Sequence, residues 1–131
     1  MMLAKKILIV EDEAVVSLDI NRRLEKMGYE VIGRVASGEE AMALAEKNRP
    51  DLVLMDINLQ GDIDGIDTAT ELYQNYNLPI IYLTAYAGES TLERAKESKP
   101  YGYILKPFKE RELHAAIEIA ISRHESESLK S

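Results

Sequence analysis

Four short apolar runs punctuate the chain, and each stops on a polar residue. They are 7–10 (ILIV), 52–55 (LVLM), 80–83 (IIYL, with Pro79 in front) and, more weakly, 103–105 (YIL). None alternates with polar residues, which is the pattern of strands covered on both faces of a parallel sheet. A fifth segment does alternate: Val31, Gly33 and Val35 against Glu30 and Arg34, as in a half-covered edge strand.

Between these runs the period becomes helical. Val16, Ile20, Leu24 and Met27 form one apolar stripe, with Gly28 placed to end the helix. Ser37 ahead of Glu40 reads as a capping box for a helix carrying Ala41, Leu44 and Ala45. Ile66, Ala69, Leu72, Tyr73 and Tyr76 make a third stripe. Leu92 and Ala95 mark a weaker helix over 89–97, and Leu113, Ala116, Ile117, Ala120 and Ile121 mark the last. From Ser122 the composition turns polar, so the expected division is one domain over 1–123 and a polar tail or truncated linker over 124–131. Alternating strands and helices imply an α/β fold: a single doubly wound, five-stranded parallel sheet with right-handed crossovers and helices on both faces. Ligands of such sheets bind outside the carboxyl ends of the strands.

Composition narrows the function. The chain has 131 residues, the length of one ordinary domain, and 46% hydrophobic content, enough for a core. A net charge of −7 argues against direct nucleic-acid binding and against an anionic membrane surface, both of which need clustered Lys and Arg. The absence of cysteine excludes disulfides, thiolate nucleophiles and Cys-based metal sites. No apolar run approaches the ~20 residues of a membrane helix, and the start MMLAKK has no signal-peptide character. The expected location is the cytoplasm.

Parallel strands would bring their terminal residues to one sheet edge: Glu11 and Asp12 after the first run, Asp56 after 52–55, Thr84 after 80–83, and Lys106-Pro107 after 103–105. Two unit charges about 4 Å apart interact by roughly 4 kcal/mol at an effective dielectric of about 20, a large share of the ~5–15 kcal/mol that stabilises a domain. Three adjacent carboxylates therefore call for a cation beyond one lysine. Oxygen ligands without His or Cys suit Mg²⁺, with Mn²⁺ as the alternative. Metal-assisted phosphoryl chemistry with a carboxylate nucleophile follows. Taken singly, each residue has a plainer use: Glu11 and Asp12 as a helix cap, Asp56 as an Asx-turn, Thr84 as a strand residue, Lys106-Pro107 as a strand terminator. Asp62 and Asp64 read as solvated turn residues, and His114 and His124 as surface residues away from the site.

The ordered set ILIVEDE, DLVLMDINL, DGI, PIIYLTAY and YGYILKPF resembles the receiver domain of two-component response regulators, of the chemotaxis-regulator type, from about Lys5 to Arg123. The resemblance implies a flavodoxin-like sheet of order 2-1-3-4-5. It implies a signalling phosphoacceptor rather than an enzyme on external substrates, one that catalyses its own phosphorylation and slow dephosphorylation. By position, it makes Asp56 the phosphoacceptor, and Glu11, Asp12, Asp56 and the Asn58 carbonyl the Mg²⁺ site. Lys106 pairs with the phosphoryl oxygens, and its bond to Pro107 is cis. Thr84 and Tyr103 form the switch, and Ala85 is small so that phosphate can reach its site. The implied partners are a histidine kinase or phosphotransfer protein, and an effector or second copy on the face of the fourth helix, fifth strand and fifth helix, where Ile119 is a candidate contact.

One departure stands out. The stretch 56–65 (DINLQGDIDG) is one residue longer than the common pattern and lacks the proline often found there, so the loop shape over 59–63 is left open. A haloacid-dehalogenase-like phosphohydrolase is the rival, but it would want an Asp at position 58, where Asn58 stands. A nucleotide-binding domain would want a Gly-rich turn after the first strand, which is missing.

Overall fold

The computed structural model describes residues 3–59, 61, 63–85 and 88–130. Strands and helices alternate throughout: β1 (Lys6–Val10), α1 (Ala14–Lys26), β2 (Glu30–Val35), α2 (Gly38–Lys47), β3 (Leu52–Asp56), α3 (Gly65–Tyr76), β4 (Ile80–Thr84), α4 (Glu89–Glu97), β5 (Gly102–Leu105) and α5 (Glu110–Lys130). The strands form one parallel sheet in the order β2-β1-β3-β4-β5.

The unbroken apolar runs are explained by two cores. Side chains alternate across a strand, so Leu8, Val10, Val53, Met55, Ile80 and Tyr82 face one layer, packed with Ala41, Ala45, Ile66, Ala69, Leu72 and Ala95 of α2, α3 and α4. Ile7, Ile9, Leu52, Leu54, Ile81 and Leu83 face the other, with Ile20 and Leu24 of α1 and Leu113, Ile117, Ala120 and Ile121 of α5. Burying side chains of this size contributes about 1.5–3 kcal/mol each, and the central strands β1, β3 and β4 supply most of them.

β2 is an edge strand, as its alternation predicts. β5 differs from its reading as a doubly covered strand. It is the other edge, with only Ile104 buried and Leu105 58% exposed. A three-residue apolar run cannot distinguish an edge from a centre, because the difference lies in whether a neighbouring strand exists. The last helix also differs: the polar residues after Arg123, expected as a tail or linker, continue α5 without a break to Lys130. Three contacts tie this extension to the domain: His124 Nε2 to the Asn77 carbonyl at 2.7 Å, Tyr101 Oη to Glu127 at 2.8 Å, and Lys5 to Glu125 at 2.8 Å. His124 is thus half-buried and bonded rather than a free surface residue, whereas His114 is exposed and meets Tyr29 edge-on.

Helix ends follow local chemistry. Gly28 takes φ +96° just past the Met27 C-cap of α1, a conformation that glycine adopts without steric cost. The Ser37 hydroxyl accepts from the Glu40 N–H at 3.2 Å and bonds its carboxylate at 3.1 Å. Asp64, read as a solvated turn residue, is the N-cap of α3 and accepts from the Asp67 N–H at 2.9 Å. Asp62 lies outside the described residues.

Candidate functional site

The strand register brings the polar residues that follow the apolar runs to one edge of the sheet. Asp56 is the last residue of β3, opposite Leu83, and Thr84 ends β4 opposite Leu105. The ladders run one step past the strands: Ile57 N–H donates to the Leu83 carbonyl at 3.1 Å, Lys106 N–H to the Thr84 carbonyl at 2.7 Å, and Glu11 N–H to the Val35 carbonyl at 3.0 Å. Glu11, Asp56 and Lys106 are therefore held by backbone pairing at their own or the adjacent position, so the site inherits the rigidity of the sheet.

Glu11, Asp56 and Thr84 are buried, with Thr84 fully inaccessible. One carboxylate oxygen from each of Glu11, Asp12 and Asp56 lies within 4.8 Å of the other two. Lys106 Nζ reaches Glu11 Oε1 at 2.6 Å, and Glu11 Oε2 accepts from the Glu13 N–H at 3.2 Å. Asp56 Oδ1 accepts from the Asn58 N–H at 3.0 Å. Burial pushes the Asp56 carboxyl up to about 6; the Asn58 N–H pulls it down, the Glu11 charge adds to the rise and the Lys106 charge opposes it. A glycine opens α3 beside the site because a Cβ at Gly65 would collide with the Asp56 carbonyl oxygen.

This donor set fits a hard divalent cation. Three carboxylates converge with one lysine, and the lysine is committed to Glu11. All the acidic ligands are oxygens, which suits Mg²⁺ or Mn²⁺. Ala85 is exposed and lines a groove of about 640 Å³ between α1 and the turn after β5, with Val15, Leu18, Arg22, Lys106 and Phe108. The Lys106-Pro107 bond is cis. Tyr103 points partly outward on β5 at 36% exposure, and Ile119 is exposed on α5.

The description of a response regulator receiver domain matches residues 7–118. The chain belongs to the response regulator receiver family. Its receiver fold has close solved counterparts. The receiver domain of a modulated diguanylate cyclase from Desulfovibrio desulfuricans superposes with a TM-score of 0.92 at 41% identity, covering 95% of this chain and 99% of that one. The receiver domain of a sensor histidine kinase from Pseudomonas aeruginosa, solved with a magnesium ion coordinated in its active-site cleft, superposes with a TM-score of 0.82 at 35% identity, covering 92% and 99%. In sequence, the transcriptional regulatory protein PdtaR of Mycobacterium tuberculosis is 41% identical over 119 residues, 91% of this chain and 58% of that protein. The receiver chain thus spans little more than half the length of this curated relative.

Two features around the receiver site were not legible beforehand. Arg94 of α4 bonds Asp64 at 2.9 Å and Asp67 at 3.2 Å, clasping α4 to the start of α3. Tyr82 Oη and Ser98 Oγ meet at 2.6 Å and hold the end of α4 to β4. α4 buries only Ala95, so these polar contacts place it. No sequence signal pairs Arg94 with Asp64, whereas the Asp64-Asp67 spacing is a cap signature that could have been read.

Proposed function

We propose that this chain is a phosphorelay receiver in which Asp56 takes a phosphoryl group from a phosphohistidine of a histidine kinase or phosphotransfer protein. The observation that carries this reading is the placement of Asp56: buried at the end of a central strand, within reach of two more carboxylates and beside a lysine. An Asp56 oxygen attacks phosphorus, the P–N bond breaks, and its electron pair stays on the imidazole, which takes a proton from solvent. Asp12, Asp56 and the Asn58 carbonyl would hold the metal, with Glu11 beside them. Bound Mg²⁺ supplies charge neutralisation of the phosphoryl oxygens. Lys106 leaves Glu11 for a phosphoryl oxygen, and the backbone pairing of Ile57 and Lys106 keeps both reacting groups in place. The same site supports slow hydrolysis, with no external substrate turned over.

Thr84 then engages the phosphoryl group and Tyr103 swings inward behind it, changing the face of α4, β5 and α5. That face carries the signal to an effector or a second copy. The groove beside Ala85 supports docking of a helix that bears the donor histidine, with Val15, Leu18 and Phe108 as apolar contacts. No helix among the described residues is long and apolar enough to cross a membrane, in keeping with a cytoplasmic site of action.

Phosphoramidate, a small P–N donor, tests the reading without a cognate kinase. With Mg²⁺ it labels the chain, and the label is lost in base; Asp56→Asn stays unlabelled. Equal labelling of that variant would contradict the assignment.

A further inference from the structure

α4 is fastened by polar side chains more than by burial. It buries only Ala95, and its N-cap, Gly88, has no side chain to bond the first turn. Two attachments hold the rest, and they differ in kind. At the C-terminal end, Ser98 Oγ donates to the Ala95 carbonyl at 2.7 Å, which uses the one proton of that hydroxyl. Tyr82 is therefore the donor in its 2.6 Å bond to Ser98 Oγ. Tyr82 is fully buried, so this attachment is a fixed point. In the middle of the helix, Arg94 reaches across to α3. Its Nη1 donates to Asp64 Oδ2 at 2.9 Å, and its Nη2 to Asp67 Oδ1 at 3.2 Å and Asp64 Oδ1 at 3.4 Å. All three side chains stay open to water, so this attachment is exchanged for hydration at little cost.

The first turn of α4 is tied to the site. Residues 85–88 alone separate Thr84 from Glu89, where the helix begins. The opposite end carries backbone strain. Lys99, next to Ser98, has φ +55° and precedes Pro100. Just past a helix the left-handed conformation suits glycine, and a following proline favours extended backbone instead. A side chain held in this conformation costs energy that the surrounding contacts must impose.

We propose that the Arg94 fork is a latch on the switch, holding α4 in the resting position against the strain at Lys99. When Thr84 moves toward a phosphoryl group on Asp56, it pulls the first turn of α4, while Tyr82 holds the last. The helix pivots about Ser98, the fork opens between the two ends, and Lys99 leaves the left-handed region. Latch and strain act in opposite directions, so together they set how much of the chain is switched before any ligand binds. The latch presupposes the phosphoacceptor role of Asp56.

Beryllofluoride with Mg²⁺, which mimics a phosphoryl group on a carboxylate, tests the latch. Its apparent dissociation constant is the intrinsic one divided by the competent fraction of the chain. Arg94→Ala binds it about three- to fivefold more tightly than the parent. Before ligand is added, the amide signals of Thr84 and Tyr103 in this variant already lie part of the way to their bound positions. Arg94→Lys keeps the charge without the fork and falls between the two. Lys99→Gly relieves the resting form and binds about threefold more weakly. Neither side chain belongs to the carboxylate cluster, so Mg²⁺ affinity without beryllofluoride is the same in parent and variants. Parent-like beryllofluoride affinity in Arg94→Ala overturns the latch, and so does a Lys99→Gly affinity at or above that of the parent. A change of Mg²⁺ affinity that accounts for the beryllofluoride effect also overturns it, by placing the effect in the carboxylate cluster. A parent that fails to bind beryllofluoride overturns the reading of Asp56, and the latch with it.

Discussion

Lys106 Nζ lies 2.6 Å from Glu11 Oε1, and the Glu11 side chain is wholly inaccessible. The two residues are far apart in sequence, yet their ion pair joins the end of β1 to the turn after β5. Removing the lysine leaves a buried carboxylate facing Asp56 with no cation. Breaking a buried pair from one side costs about 3–5 kcal/mol. Lys106 keeps some access to water, so Lys106→Met should cost about 1–3 kcal/mol in Mg²⁺-free urea unfolding near neutral pH. A smaller loss would mean that Glu11 is held by the Glu13 N–H alone.

The raised Asp56 carboxyl makes a pH prediction with a definite sign. Its value is 3.8 when unperturbed and about 6 in the folded site, so the folded state binds more protons between these limits. Stability of the metal-free chain therefore falls as pH rises through that window. Asp56→Asn removes the ionisation. It should be more stable than the parent by about 1–3 kcal/mol near neutral pH, with the gap closing below about pH 4. Thermal unfolding in EDTA at several pH values checks this, and a gap independent of pH would contradict it.

Metal addition should act in the opposite direction. Mg²⁺ bound only by the folded state stabilises by mass action, about 2.7 kcal/mol at 100-fold excess over its dissociation constant. Asp12→Ala should lose most of this response, while its metal-free form melts no lower than the parent because one crowded carboxylate is gone. An unchanged Mg²⁺ response would assign Asp12 to the start of α1 and nothing more.

α4 should prove the most easily detached helix. It buries one side chain and is clasped by Arg94. Exposed ion pairs contribute about 0–1 kcal/mol, and a fork on two carboxylates sits at the upper end. Arg94→Ala should speed amide exchange in α4 about fivefold with the central strands unchanged. A uniform change across the sheet would mean that Arg94 supports global stability instead.

Most of the sheet could be read from the sequence because its information is local. Unbroken runs such as 52–55 are apolar on both faces, and the polar residues that stop them, Glu11, Asp56, Thr84 and Lys106, follow directly. Parallel strands do the rest by bringing those positions to one edge. What could not be read depends on neighbours. The run 103–105 looked like a central strand because nothing local records that no strand lies beyond it. The residues after Arg123 looked like a tail because their anchors, Asn77 for His124 and Tyr101 for Glu127, lie elsewhere in the chain. Arg94 and Asp64 form a pair only after α3 and α4 are set side by side.

The central claim is that Asp56 alone accepts the phosphoryl group, and its most direct test maps the modified residue. The chain is incubated with acetyl phosphate and Mg²⁺, reduced with borohydride, which converts an aspartyl phosphate to homoserine, and digested for peptide mass analysis. The account predicts one phosphoryl group per chain, Mg²⁺-dependent, with homoserine at position 56 and nowhere else. Homoserine at position 12, or full labelling in Asp56→Asn, would contradict it.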